Sequence, residues 1–319
     1  MGKENLIQNK IQVILISICT TKKWNDLKEY FLKLPEEEKD ETLIQQYYDV
    51  FEHNKNQIHT KDDEIKHILD KYEQYMHWIF QEEVTTDACK KYLLELYKEE
   101  FPNANTWEEL ENCLQKFFKE KGYYCLAGIT PPYPDLYVWK TQKKEQRQVE
   151  ILEHTVNMNV YEMSDVITRG WYDYHTFHKR GAAGWVSDDG TYYFADRYDI
   201  HSEEFLVSLL KHEAQHFYDL KQNPDMPSYR LEYRAKLIEL IYYEDEKRLL
   251  TFLETMGDSK DEPHLYANKQ IIGQLSNMIF EKDLETDPNQ WKNHYKEVKK
   301  YAKELFQMST QKAFALARE

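Results

Sequence analysis

Two histidines and a glutamate stand close together at His212, Glu213 and His216, in the run HEAQH. On a helix, residues four apart lie one above the other. Both imidazoles can then reach one metal ion while Glu213 projects beside it toward a bound water. Ligands of this kind suit zinc. The plain alternative is a buried helix whose histidines only hydrogen-bond to their neighbours. A third ligand can be sought beyond the turn QNPDMPS, where Pro224 and Pro227 stop the helix and Ser228 can cap a second one, running YRLEYRAKLIELIYYEDEKRLLTFL. His216 lies four residues before Leu220, and Glu232 four residues after Ser228. Antiparallel packing would bring each about 6 Å along its helix from the turn, so the two come level. Ala235 and Glu239 share the face of Glu232. Ala235 leaves room for close helix approach, and Glu239 could orient a ligating histidine.

The helix that must carry these groups has a clear start. Ser202 is a good N-cap, and Glu203 and Glu204 favour the positive end of the helix dipole. Phe205, Leu206, Leu209, Leu210, Phe217 and Leu220 give it a broad apolar surface, which predicts burial. Two histidines and a glutamate are costly in that setting unless they have partners, and a metal ion satisfies all three. Just upstream, GAAGWVSDDGTYYFADRY predicts a hairpin. Its strands would be Trp185-Val186 and Tyr192-Tyr193-Phe194, and its turn Asp188-Asp189-Gly190 with Gly190 at positive φ. Ala182, Ala183 and Gly184 carry almost no side chain, and with Trp185 they form a candidate edge strand for a peptide backbone. A tightly packed loop explains the same residues equally well.

The rest of the chain is read as support. Residues 1–121 predict an N-terminal helical region, with Ile65, Ile68, Leu69, Tyr72, Tyr75, Met76 and Ile79 on one face. A last helix bears Leu110, Cys113, Leu114, Phe117 and Phe118 and has a capping box at Thr106 and Glu109 and a stop at Gly122. Its histidines, His53, His59, His67 and His77, are expected on polar surfaces, whereas His175 and His178 stay ambiguous. From Tyr123 the texture changes to short aromatic and β-branched segments separated by TPPYPD and TQKKEQ, a small and mostly antiparallel sheet. Residues 122–240 would form the core and 241–319 a C-terminal helical region. The latter holds one helix from His264 to Phe280 and one starting at Asp287 and Pro288 with Trp291, Tyr295, Val298, Ala302, Leu305 and Phe306 inward. The expected class is therefore α+β and predominantly helical.

Composition narrows the partners. The 319 residues are 41% hydrophobic, enough for a sizeable core, and the net charge of -15 argues against nucleic acid, which needs clustered Lys and Arg. Cys19, Cys89, Cys113 and Cys125 form no CxxC pair, so free thiols are expected. The apolar run Ile11 to Cys19 is about half a bilayer span, so a buried helix and a cytoplasmic protein are the default. A signal peptide is the weaker alternative.

HEAQH followed by LEYRA resembles the gluzincin group of zinc metallopeptidases over about residues 181–240. The resemblance implies a zincin-like core, with His212, His216 and Glu232 as zinc ligands, Glu213 as general base and the hairpin as substrate-binding edge. The spacer between His216 and Glu232 is short for that group. Where its thermolysin-like members have Asp four residues after the ligating Glu, Lys236 stands here, so Glu239 or Asp219 would have to support a histidine instead. The mechanism expected from the residues is attack of a zinc-activated water on a peptide carbonyl, with Glu213 moving the proton from the water to the leaving amine. A second donor to the oxyanion is needed, and His201, Tyr229, Tyr233, His264 and Tyr266 are the candidates. The expected substrate is a peptide or protein. The competing reading is a non-catalytic helical interaction protein with a structural or vestigial zinc site. An open three-ligand set favours the enzyme, because structural sites fill all four positions with protein ligands.

Overall fold

The computed structural model describes residues 23–36, 39–152, 154–187 and 189–315, the last four as backbone only. The helix expected over Ile11 to Cys19 lies outside the described residues, as does Asp188 of the predicted turn. The chain is α+β, with 54% of it helical. It divides into two compact units, Met1–Gln142 with Met163–Ala183, and Lys143–Glu162 with Gly184–Glu319. These differ from the three consecutive regions 1–121, 122–240 and 241–319, because two long strands are each shared between the units. Among the described residues, no helix is long and apolar enough to cross a membrane.

Unit 1 is built on helices α1 (Trp24–Lys33), α2 (Glu41–Tyr47), α3 (Asp63–Gln81), α4 (Thr86–Leu96) and α5 (Trp107–Glu120), with a π-helical turn Tyr48–Glu52 after α2. All seven apolar positions predicted for α3 are buried. At the head of α5, Thr106 Oγ1 accepts from the Glu109 amide while Glu109 accepts from the Thr106 amide, a reciprocal cap that stabilises a helix by about 1 kcal/mol. His53, His59 and His67 are exposed, but His77 is buried and meets the Tyr174 hydroxyl at 2.9 Å. The expectation of a surface position failed because its partner is distant in the chain. His175 is buried too, its Nε2 2.8 Å from the Met76 carbonyl, and His178 is exposed. Cys89, Cys113 and Cys125 are free thiols.

One mixed five-stranded sheet has the order β1-β2-β3-β5-β4. The strands are β1 (Tyr124–Thr130), β2 (Tyr133–Ile151), β3 (His154–Arg169), β4 (Gly184–Ser187) and β5 (Gly190–Phe194), and a short helix α6 (Gly170–His175) follows β3. The turn expected at TQKKEQ does not form: β2 runs straight through it. The segment holds no Gly, Pro or Asn to break it, its polar residues face solvent, and Lys143 pairs with Glu162 of β3 at 3.0 Å. The predicted hairpin is present, with β4 and β5 antiparallel and Ser187 opposite Gly190. Gly190 has φ +150°, and a Cβ there would lie 2.3 Å from the Asn159 carbonyl oxygen.

The helices of unit 2 enclose a second core containing Phe205, Leu209, Leu210, Leu237, Ile238, Ile271, Leu275, Trp291 and Val298. A π-helical segment Glu204–Lys211 runs into α7 (His212–Gln222), followed by α8 (Ser228–Tyr242), α9 (Lys247–Glu254), α10 (Pro263–Phe280), α11 (Pro288–Trp291) and α12 (Tyr295–Ala315). Ser202 Oγ accepts from the Phe205 amide and starts the first of these. Leu206 and Leu220 are 41% and 39% exposed, so the buried face is narrower than their apolar character suggested. Ser228 is the first residue of α8 rather than its cap. Pro227 precedes it in extended conformation and accepts from the Arg230 amide at 2.8 Å. The helix expected to continue through Leu253 stops at Tyr242, Tyr243 leaves the helical conformation, and Asp245 accepts from the Lys247 amide at the start of α9. The last predicted helix is likewise divided, since Trp291 turns into the core and donates to the Glu285 carbonyl.

Candidate metal centre

His212 and His216 occupy successive turns of α7 with ring centroids 4.5 Å apart. Helical periodicity alone stacks them. Glu232 reaches them from α8, which packs against α7 across the proline-broken turn. Its Oε2 lies 3.5 Å from His212 Nε2 and its Oε1 3.6 Å from His216 Nε2. Donors bound at about 2.0–2.1 Å around a tetrahedral ion are themselves about 3.4 Å apart, so this spacing fits zinc-sized coordination. His216 Nε2 is buried without a hydrogen-bond partner, and it belongs to the donor set.

Glu213 also belongs to the cluster: one ligand atom from each of His212, Glu213 and His216 lies within 4.8 Å of the others. Two carboxylates therefore compete for the third ligand position. Glu213 Oε2 approaches His216 at Nδ1, 3.3 Å away, whereas Glu232 faces the Nε2 atoms of both histidines. His212 Nδ1 is already held by Glu239 Oε1 at 2.6 Å. One ion can therefore be shared by the two Nε2 atoms and Glu232, which leaves Glu213 beside it with a half-buried side chain.

The electrostatics attract a cation. Burial disfavours charge on His212, but Glu232 and Glu239 outweigh it and raise its pKa to about 10. Burial would also raise the pKa of Glu239, yet His212, Arg248 and Lys236 hold it down at about 2. Glu232 is lowered as well, because His212 and His264 outweigh its desolvation. Without an ion, the positive charge that the carboxylates demand sits on His212.

No protein-family model, curated protein or solved structure matches this chain. The site is therefore read from its own geometry.

Around the ligands, Glu239 is fully buried and organises the support. Its Oε2 accepts from Ser208 Oγ at 3.1 Å and pairs with Arg248, and Ser208 meets the Tyr243 hydroxyl at 2.8 Å. Arg248, Ser208 and Tyr243 escaped the sequence reading, because Arg248 comes from the next helix, α9, and no local spacing marks it. Asp219 does not support a histidine. It pairs with Arg234 Nε at 2.7 Å, and Arg234 also donates to Ser309 and Thr310. Lys236 stacks its ammonium 4.8 Å from the Phe252 ring centroid.

Of the oxyanion-donor candidates, His264 is the one brought to the ligands, its Nδ1 2.7 Å from Glu232 Oε2. Tyr233 donates to Gln274 at 2.8 Å. Tyr229 and Tyr266 pack edge to face at 5.8 Å, and His201 is exposed with its amide on Asp199. β4 is an edge strand. Gly184 has a reason of its own to be glycine, since a Cβ there would lie 2.3 Å from the Tyr192 carbonyl oxygen. Ala182 and Ala183 precede the strand, and Trp185 stacks on Tyr192 at 5.6 Å.

Proposed function

We propose that this chain is a zinc-dependent peptidase of gluzincin type, with a zincin-like core formed by the sheet and α7–α8. The observation that carries the proposal is the facing of His212 Nε2 and His216 Nε2 onto the two oxygens of Glu232, at 3.5 and 3.6 Å. These three side chains would hold the zinc. A bound zinc supplies a Lewis acid and a water acidified to near neutrality. Glu213, half-buried beside these side chains, would take up a proton at its carboxylate and return it to the leaving amine. Glu239 fixes the His212 ring so that Nε2 is its free nitrogen, and Arg248 and Ser208 hold Glu239 in turn. His264 supplies a donor next to the ligands for charge developing on the substrate oxygen, and the β4 edge offers backbone groups to an extended peptide.

The contact of His264 with Glu232 favours one rival. If that imidazole took the fourth position, the site would be closed and structural, as in a non-catalytic helical interaction protein. Zinc content and hydrolysis of a mixed peptide library, measured for wild type and Glu213→Gln, separate the two. The expected result is stoichiometric zinc in both proteins and a rate lower by about 10²–10⁴-fold in Glu213→Gln. Undiminished hydrolysis by Glu213→Gln defeats the mechanism, a zinc-free wild type defeats the site, and tight zinc without cleavage establishes the rival.

A further inference from the structure

Unit 1 carries a cavity of about 380 Å³ with a different chemistry, within the range of small-ligand sites. Four amide side chains line it: Asn54 and Asn56 from the loop before α3, and Gln74 and Gln81 from α3. Each is tethered through a single polar atom. Asn56 Nδ2 donates to Asp70 Oδ1 at 3.0 Å, Gln74 Nε2 to the Tyr92 hydroxyl at 3.3 Å and Gln81 Nε2 to the Phe51 carbonyl at 3.1 Å, while Asn54 Oδ1 meets His77 Nδ1 at 3.3 Å. The other polar atom of each amide is uncommitted.

The tethers leave both signs of hydrogen bond on offer. Asn56, Gln74 and Gln81 keep their oxygens, Asn54 keeps its nitrogen, and each NH₂ tethered through one N–H keeps the other. Burial keeps the His77 ring neutral, lowering its pKa to about 4. The cavity is lined by neutral donors and acceptors, which suits an uncharged occupant that both donates and accepts. Asp70 adds no net charge, because Lys66 pairs with its second oxygen. An anion finds no Lys or Arg in the lining, and an ammonium group finds no uncompensated carboxylate; among the described residues the one cluster of metal-binding type is that in unit 2. Beside the amides, Trp78 and Tyr92 stack at 4.3 Å with an interplanar angle of 22°, both half-buried, and each ring keeps one face that the other does not cover.

We propose that this cavity of unit 1 binds a neutral sugar, whose hydroxyls exchange hydrogen bonds with the amide side chains and whose C–H face lies on the Trp78–Tyr92 pair. The site is independent of the zinc proposal. It is tested on the full chain by saturation-transfer NMR with maltose, cellobiose, lactose and N,N′-diacetylchitobiose, with choline as the cationic control and a Pro-rich peptide as the macromolecular one. At least one disaccharide is expected to bind saturably. Tyr92→Ala should weaken it about tenfold, the worth of an aromatic contact, and Gln81→Ala about fivefold, with thermal midpoints showing both variants folded. Glu213→Gln should bind as wild type does. Failure of all four sugars to saturate below about 50 mM overturns the proposal. So does undiminished sugar binding in both folded variants, or binding of choline or the peptide in place of sugar.

Discussion

Glu73 in unit 1 and Glu232 in unit 2 are both carboxylates buried beside histidines, and their neighbours treat them in opposite ways. Glu73 Oε1 accepts from the amides of Gln57 and Ile58 at 2.6 and 3.0 Å and from the Tyr174 hydroxyl at 2.9 Å. Burial still raises its pKa, and nearby His77 is driven the other way, to about 4. Both shifts favour the uncharged forms. Glu232 is lowered and His212 raised, which favours the charged forms. A carboxylate given N–H and O–H donors serves the fold. One facing the ring nitrogens of two histidines calls for positive charge beside it, on an imidazole or on an ion, and that marks Glu232 as a candidate ligand.

The largest test of this contrast is to neutralise each carboxylate. Glu232→Gln should weaken zinc binding, followed by competition with a chromophoric chelator, by more than the roughly 100-fold upper range of a supporting-residue loss. Glu73→Gln should leave zinc affinity unchanged. Equal effects would erase the distinction.

The next test is pH. His77 and His175 are lowered by burial, to about 4 and about 3. A histidine whose pKa is lower folded than unfolded binds its proton preferentially in the unfolded chain, so its contribution is present above the ordinary value of 6.5 and is lost as pH falls toward the folded value. For His77 this amounts to about 3 kcal/mol, the cost of lowering the ring from 6.5 to about 4 at about 1.4 kcal/mol per pH unit. Urea unfolding of wild type against His77→Gln should show the wild-type advantage shrinking by that order between pH 6.5 and 4. Glu73, raised, has the opposite sign: its contribution is present below the ordinary carboxylate value and is lost as pH rises through the raised one. A wild-type advantage independent of pH would mean that His77 is not held neutral.

The smallest effect is expected at Arg248. Arg248→Met removes the cation that holds Glu239, and zinc affinity should fall about tenfold, with Arg248→Lys recovering part of it. Unchanged affinity in Arg248→Met would show that Ser208 and His212 suffice to place Glu239.

How much was legible follows the range of each interaction. The Thr106–Glu109 cap, the β4–β5 hairpin and the apolar face of α3 were readable because each is settled within a few residues. The break after Tyr242 was not, because Asp245, which accepts from the first amide of α9, stood inside a sequence pattern that also suits a continuous helix. His77 was misplaced for a related reason: its hydroxyl partner is 97 residues away.

For the metal centre, the sequence by itself determined that His212 and His216 share a helix face with Glu213 between them, since a repeat of 3.6 residues per turn stacks positions four apart. It also marked Glu232 and Glu239 as one face of the following helix. Only the tertiary structure decided that both Nε2 atoms meet the two oxygens of Glu232, that Glu239 rather than Asp219 holds His212, and that Arg248 stands behind Glu239. Periodicity sets distances along one helix. The choice among several acids for one histidine is made by how separate helices pack, and Asp219 was already committed to a buried arginine.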